Sequence, residues 1–305
     1  MRKLLLLLFF GLVAVVVLSN LSNLRNLSNL RQERPSSETK TPLLRVALVA
    51  DSHNENDLLS KALAQAEGMG VNFVIGLGDF SNTGTIEELT NAKKVFDQSK
   101  LEYFTTAGDH DLWDSRNRGE DPLTNFREIF GKSTQIIDRE NVLFVILDNS
   151  DIYRGISEED WGLLTSHLSN LSSLSNLSQN KLRFVFAQKT PFHPESKHVM
   201  GSENEAVARQ AKRMLAILEE QGDRETEDKK GIEDIGDNEG IRGRAVDGFF
   251  SGDLHFFAEF KSPAGTVKMT TIGAVASERN FQGPRFGILT VYGDYSWEVE
   301  NVEIR

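Results

Sequence analysis

Residues 45–53 read RVALVADSH. Five apolar residues, Val46 to Ala50, form a short run rich in branched side chains, the signature of a buried strand, and the run stops at two polar residues, Asp51 and His53. The next segment sets the class. Leu58, Leu59, Ala62, Leu63 and Ala66 recur at helical spacing, and Gly68 is placed to end that helix. Residues 73–77 (FVIGL) are a second buried strand, so the opening of the domain is a βαβ unit and the class is α/β.

The pattern continues outward. Thr85 and Glu88 have the spacing of a capping box for a helix with Ile86, Leu89, Ala92, Val95 and Phe96 facing inward, and a strand is expected over residues 103–106. Residues 142–147 and 182–186 are further strands, separated by a helix that starts at Ser157 and buries Trp161 and Leu164. Ser202 and Glu205 are read as the cap of a helix carrying Val207, Met214, Leu215 and Leu218. Strands then succeed one another at 249–251, 256–260, 267–272, 287–291 and 297–302, which predicts an antiparallel end to the domain.

The chain of 305 residues divides into residues 1–42, a leader with a tether, and one catalytic-size domain over 43–305. Arg2 and Lys3 precede the apolar residues 4–18, the layout of a signal peptide or membrane anchor, so export to an extracytoplasmic or membrane-anchored position is expected. A Leu-Ser-Asn triplet repeat fills the tether and returns at 168–180. Its period of three fits neither helix nor strand, so this second copy is a low-complexity insertion.

Residues 219–244 form an acidic loop. Within it, residues 219–239 set ten acidic residues against Arg224, Lys229 and Lys230 and supply −7 of the formal charge of −11. No basic face points to a nucleic-acid partner. There is no cysteine, which excludes thiolate metal sites, disulfides and cysteine nucleophiles. Any metal must be held by imidazole, carboxylate or amide groups.

Polar groups gather where the strands stop, the place at which an α/β sheet presents its ligand-binding side chains. Asp51 and His53 come after the first strand, and extended geometry would aim both the same way. Asp79 comes after the second strand and Gly78. Gly108, Asp109, His110 and Asp111 succeed the third, and Ser251, Gly252, Asp253, Leu254 and His255 come late in the chain.

This order of D-x-H, G-D, G-D-H-D and G-D-x-H, with gaps of 28 and 30 residues from Asp51 to Asp79 to Asp109, resembles the calcineurin-like metallophosphoesterase family over residues 43–305. The resemblance implies a four-layer α/β/β/α sandwich of two mixed β-sheets flanked by helices. It implies a first metal held by Asp51, His53, Asp79 and His255, with Asp79 bridging to a second held by the residues at Asp109, Asp253 and one mid-chain position. That position is Gln188 when residues 185–194 are aligned on the family's V-F-T-H-K-P-P-F-D-P type of segment, with His193 as the alternative.

The chain departs from the family pattern in three places: Asp109 stands for Asn, Asp253 for the first His of G-H-x-H, and Gln188 for His. The altered second set of carboxylates and an amide oxygen suits Mn²⁺, Mg²⁺ or Ca²⁺ better than Zn²⁺. Two divalent ions (Mn, Mg, Fe, Zn or Ca, with Mn favoured) would activate a hydroxide to attack a phosphate mono- or diester. His110 would assist the leaving group and Asp111 would orient its imidazole. The competing expectation is a non-catalytic exported or membrane-anchored metal-binding protein with a degraded second site.

Overall fold

The computed structural model describes residues 40–168, 182–219 and 246–305. The leader at 4–18, the repeats and nearly all of the acidic loop lie outside the described residues. Among those described, no helix is long and apolar enough to cross a membrane.

The first half runs β1 (Pro42–Val49), α1 (Asn56–Gly68), β2 (Phe73–Leu77), α2 (Ile86–Gln98) and β3 (Glu102–Thr106). A single 3₁₀ turn, His110–Leu112, leads into the short helices α3 (Trp113–Asn117) and α4 (Thr124–Phe130). Then come β4 (Gln135–Arg139), β5 (Val142–Leu147), α5 (Glu158–Leu168), β6 (Leu182–Ala187) and α6 (Glu205–Glu219). The chain ends with β7 (Gly248–Ser251), β8 (Ala258–Lys261), β9 (Lys268–Thr271), β10 (Arg285–Tyr292) and β11 (Trp297–Glu303).

These strands form two mixed sheets, one in the order β11-β10-β1-β2-β3 and one in the order β4-β5-β6-β7-β9-β8. Period-two alternation explains how they pack. Val46 and Leu48 of β1 face Phe144, Phe184, Phe186 and Phe250 of the other sheet, while Ala47 and Val49 face Leu59, Ala62, Leu63 and Ala66 of α1. On the outer face of the second sheet, Val145 and Val185 meet Trp161 and Leu164 of α5 and Val207, Ala211, Met214 and Leu218 of α6. The result is the expected four-layer α/β/β/α sandwich.

Three local expectations are corrected. The C-terminal strands do pair antiparallel as β8 with β9 and β10 with β11, but they do not make one sheet: β7 runs parallel to β6 and β9 parallel to β7, while β10 pairs antiparallel with β1 in the other sheet. Strand β7 is buried along its whole length, as a parallel strand between two covered faces is. Helix α6 is capped by Asn204, whose Oδ1 accepts from the backbone N–H groups of Ala206 (2.8 Å) and Val207 (3.3 Å), and not by Ser202, which is exposed. Ile86, expected to face inward, is exposed at 36%, although the capping box of Thr85 and Glu88 beside it is fully formed.

Candidate metal centre

Strands β1, β2 and β3 are parallel, so their C-terminal ends lie at one edge of the first sheet; β6 and β7 are likewise parallel in the second. The loops beyond these ends carry every polar cluster singled out from the sequence. The backbone there is not extended. Asp51 (φ 54°), His53 (φ 42°), Asp79 (φ 53°), Asp253 (φ 66°) and His255 (φ 58°) all adopt left-handed conformations. For residues with a side chain this costs roughly 1–3 kcal/mol each and persists only where the surrounding structure over-determines it. The expectation that extended geometry aims Asp51 and His53 together is therefore corrected. They meet because the turn is fastened, with the N–H of Asp51 on the Gly78 carbonyl and that of His53 on the Asp79 carbonyl, both at 3.0 Å.

The turns also demand close approach. Gly78 has φ +85°, and a side chain on it would strike the backbone of Gly108; a side chain on Gly108 would in turn strike Asp79. The two glycines let the β2 and β3 loops touch and so set the position of the Asp79 carboxylate, whose Oδ1 accepts the His110 backbone N–H at 3.0 Å.

Two ligand clusters result. Asp51, His53 and His255 offer ligand atoms within 4.8 Å of one another, and so do Asp79, Asp109 and Asp253. In the first, His53 Nε2 and His255 Nε2 are 3.2 Å apart, His255 Nε2 is 3.8 Å from Asp51 Oδ1, and His53 Nε2 is 4.0 Å from Asp79 Oδ2. Ligands at about 2.1 Å from one ion stand roughly 3 Å apart, so this set needs only small shifts to close on a divalent cation.

The electrostatics agree with a cation site. Burial, reinforced by His110 and His255, lowers His53 to about 3, and burial lowers His255 as well, so both imidazoles are neutral and can donate a lone pair. Burial and then the neighbouring carboxylates hold Asp51 and Asp79 well above the ordinary range, a strain that a divalent cation relieves. The first cluster fits a metal.

The second cluster is different. Gln188 is fully buried in it, but its amide nitrogen faces the carboxylates, at 3.2 Å from Asp79 Oδ2, 3.3 Å from Asp109 Oδ1 and 3.2 Å from Asp253 Oδ1. Gln188 thus lies in the cluster where the sequence places it, with its amide nitrogen donating to the three carboxylates and its Oε1 buried without a hydrogen-bond partner. His193, the alternative, is not in the cluster, since its Nδ1 accepts from the backbone N–H groups of Glu195 and Ser196 and its ring lies against Phe256 and Phe260.

Lys189, at the Lys position of the V-F-T-H-K-P-P-F-D-P type of segment and not among the expected ligands, completes the arrangement. It is 2% exposed and places Nζ 2.7 Å from Asp253 Oδ1 and 3.2 Å from Asp109 Oδ1. Burial alone would lower its pKa, but Asp253 and Asp109 outweigh that and raise it. For Asp253 burial acts upward, and Lys189 with His198, whose Nε2 is 3.4 Å away, brings the net shift below the ordinary range. A charged residue just beyond a buried strand, at the edge where the other clusters collect, is the signal available for Lys189.

His110 and Asp111 take separate roles. His110 Nδ1 lies 2.8 Å from the Asn82 carbonyl, and its ring stacks on Trp113 at 4.2 Å and meets His53 at 4.8 Å. Asp111 does not orient this imidazole, a further correction. Its carboxylate is fully buried and accepts from Ser81 N (3.0 Å), Ser81 Oγ (2.7 Å) and Gly108 N (2.9 Å), which ties the β2 loop to the β3 loop.

A family model described as calcineurin-like phosphoesterase matches residues 44–216. No curated protein matches the chain. Among solved structures, purple acid phosphatase PPD1 from yellow lupin (Lupinus luteus) seeds superposes with a TM-score of 0.56 at 12% identity, over 85% of this chain and 51% of the lupin chain. TT1561 of Thermus thermophilus gives 0.48 at 8% identity over 86% and 100% of the two chains. A putative 5'-nucleotidase from Staphylococcus aureus gives 0.47 at 12% over 85% and 53%. The chain thus spans about half the length of the lupin enzyme, and the likeness is one of fold.

Proposed function

The chain belongs to the calcineurin-like phosphoesterase family, and from that membership we propose that it hydrolyses a phosphate ester at Asp51, His53, Asp79 and His255, with singly charged diesters preferred over doubly charged monoesters. The observation that carries this reading is the convergence of Asp51, His53 and His255, from loops of two different sheets, on one point. A divalent ion there, Mn²⁺ by preference, supplies Lewis acidity, lowering the pKa of water and neutralising charge on phosphoryl oxygens.

The chain's own groups do the rest. Neutral His53 and His255 and the carboxylates of Asp51 and Asp79 hold the ion. His110, with Nδ1–H on the Asn82 carbonyl and its ring on Trp113, is left with Nε2, from which the imidazolium form would give a proton to the departing oxygen and become the neutral ring. The backbone N–H of Asp253 donates to both Asp51 oxygens, at 3.1 and 3.0 Å, and keeps that carboxylate pointed at the cluster.

The substrate preference is argued from charge. Asp109 and Asp253 add two negative charges where the family pattern has neutral Asn and His, so the site attracts a dianion less than that pattern would. The Mn²⁺-loaded chain is expected to show kcat/KM at least about tenfold higher on bis-p-nitrophenyl phosphate than on the monoester, a difference of about 1.4 kcal/mol. A monoester preference overturns the diester assignment.

A second reading, a non-catalytic metal-binding protein, draws on the observation that Lys189 and Gln188 both donate to Asp253 Oδ1 in the second cluster. It requires that the chain bind an ion and turn over neither substrate. As to location, the charged and apolar residues 2–18 are proposed to export the domain or anchor it to a membrane. Fractionation that finds the full-length chain only in the cytosol overturns that.

A further inference from the structure

Two donors converge on the oxygens that a second ion would need. Lys189 Nζ reaches Asp253 Oδ1 and Asp109 Oδ1, and Gln188 Nε2 reaches the same two atoms and Asp79 Oδ2. All of these side chains but Asp109 are nearly or fully buried.

Lys189 is also built in from behind. Its backbone N–H donates to Asn149 Oδ1 at 2.9 Å, and its carbonyl accepts from Asn149 Nδ2 at 2.7 Å, so the residue is clamped just beyond the end of β6. A second divalent ion would have to displace the buried ammonium from two carboxylates and turn the Gln188 amide over to present its oxygen. Breaking a buried ion pair leaves a desolvated charge unpaired, which is the costly direction. The residues of the second cluster do not fit a metal as they stand.

We propose that Lys189 is the resident cation of the second cluster, so that the protein works with one divalent ion, at Asp51, His53, Asp79 and His255, beside one permanent ammonium. The proposal rests on the phosphoesterase reading and changes its charge balance. The carboxylates of Asp51, Asp79, Asp109 and Asp253 are then met by one divalent ion and one lysine, which leaves a net negative charge and disfavours a dianionic substrate further.

Ion counting tests this. The full metal-free chain is saturated with Mn²⁺, separated from free ion, and assayed for manganese by mass spectrometry and for spin coupling by electron paramagnetic resonance. The wild type is expected to hold one ion per chain with the spectrum of an isolated Mn²⁺. Lys189→Met, which keeps the stem and removes the charge, is expected to take up a second ion and show a coupled pair.

Two coupled ions in the wild type overturn the proposal and leave the phosphoesterase reading intact. A folded Lys189→Met chain that still holds one ion overturns it as well. A wild type that binds no ion and cleaves neither nitrophenyl ester overturns both. Should Lys189→Met fail to fold, the wild-type count and spectrum decide alone.

Discussion

Neighbouring residues in one motif divide labour between chemistry and architecture. His110 faces the ligand cluster with its ring against Trp113, while Asp111, one residue on, turns into the protein and holds Ser81 and Gly108. Removing each should therefore fail in a different way. His110→Ala is expected to lower kcat by about 10²- to 10⁴-fold with the melting temperature unchanged, as loss of an acid–base group does. Asp111→Ala leaves buried donors unsatisfied and is expected to cost about 1–3 kcal/mol of stability, read as a lower denaturation midpoint. Equal loss of activity at unchanged stability in both variants would contradict the division. At this scale the first cluster is legible in the sequence, because Asp51, His53, Asp79 and His255 each lie just beyond a hydrophobic run. The true partner of His110, the Asn82 carbonyl, is not, because a main-chain oxygen leaves no pattern in a sequence. Lys189 is legible only as a charged residue just beyond a buried strand, which does not reveal that it pairs with Asp253 and Asp109.

Elements are fixed by burial and by their ends, and the two are not equally visible. Strands β2 and β5 coincide with their hydrophobic runs from end to end, since every residue in each is buried. Strand β4 escapes a reading by hydrophobic runs because Ile136 and Ile137 are flanked by Gln135, Asp138 and Arg139; as an edge strand it needs no longer apolar run. Helix α6 shows how an end can be misplaced. Ser202 and Glu205 have capping-box spacing, yet Asn204 is the cap because its shorter reach to the N–H groups of Ala206 and Val207 matches where the helix begins. Asn204→Ala is expected to cost about 1 kcal/mol, roughly 2–4 °C in a domain of this size, measured by thermal unfolding. Ser202→Ala, at an exposed position, should stay within about 0.5 kcal/mol. The reverse order of effects would return the cap to Ser202.

Across the whole molecule the site is a seam between the two sheets. Asp51, His53, Asp79, Asp109 and His110 hang from the ends of β1, β2 and β3, whereas Gln188, Lys189, Asp253 and His255 hang from β6 and β7 of the other sheet. Ions and hydrogen bonds at this seam therefore join the layers that the apolar core holds farther in, and ligand binding must feed into global stability by mass action. A divalent ion present at about 100 times its Kd adds about 2.7 kcal/mol, provided it binds the folded state alone. For a domain of this size that is about 5–10 °C in melting temperature. The metal-free chain should thus melt about that much higher when Mn²⁺ is added, against a control of equal ionic strength in KCl, and return on chelation. His255→Ala removes the second sheet's contribution to the first cluster and should reduce the shift to about a degree. If that variant gains as much as the wild type, the stabilising ion sits elsewhere and the seam at His255 is not where the metal joins the sheets.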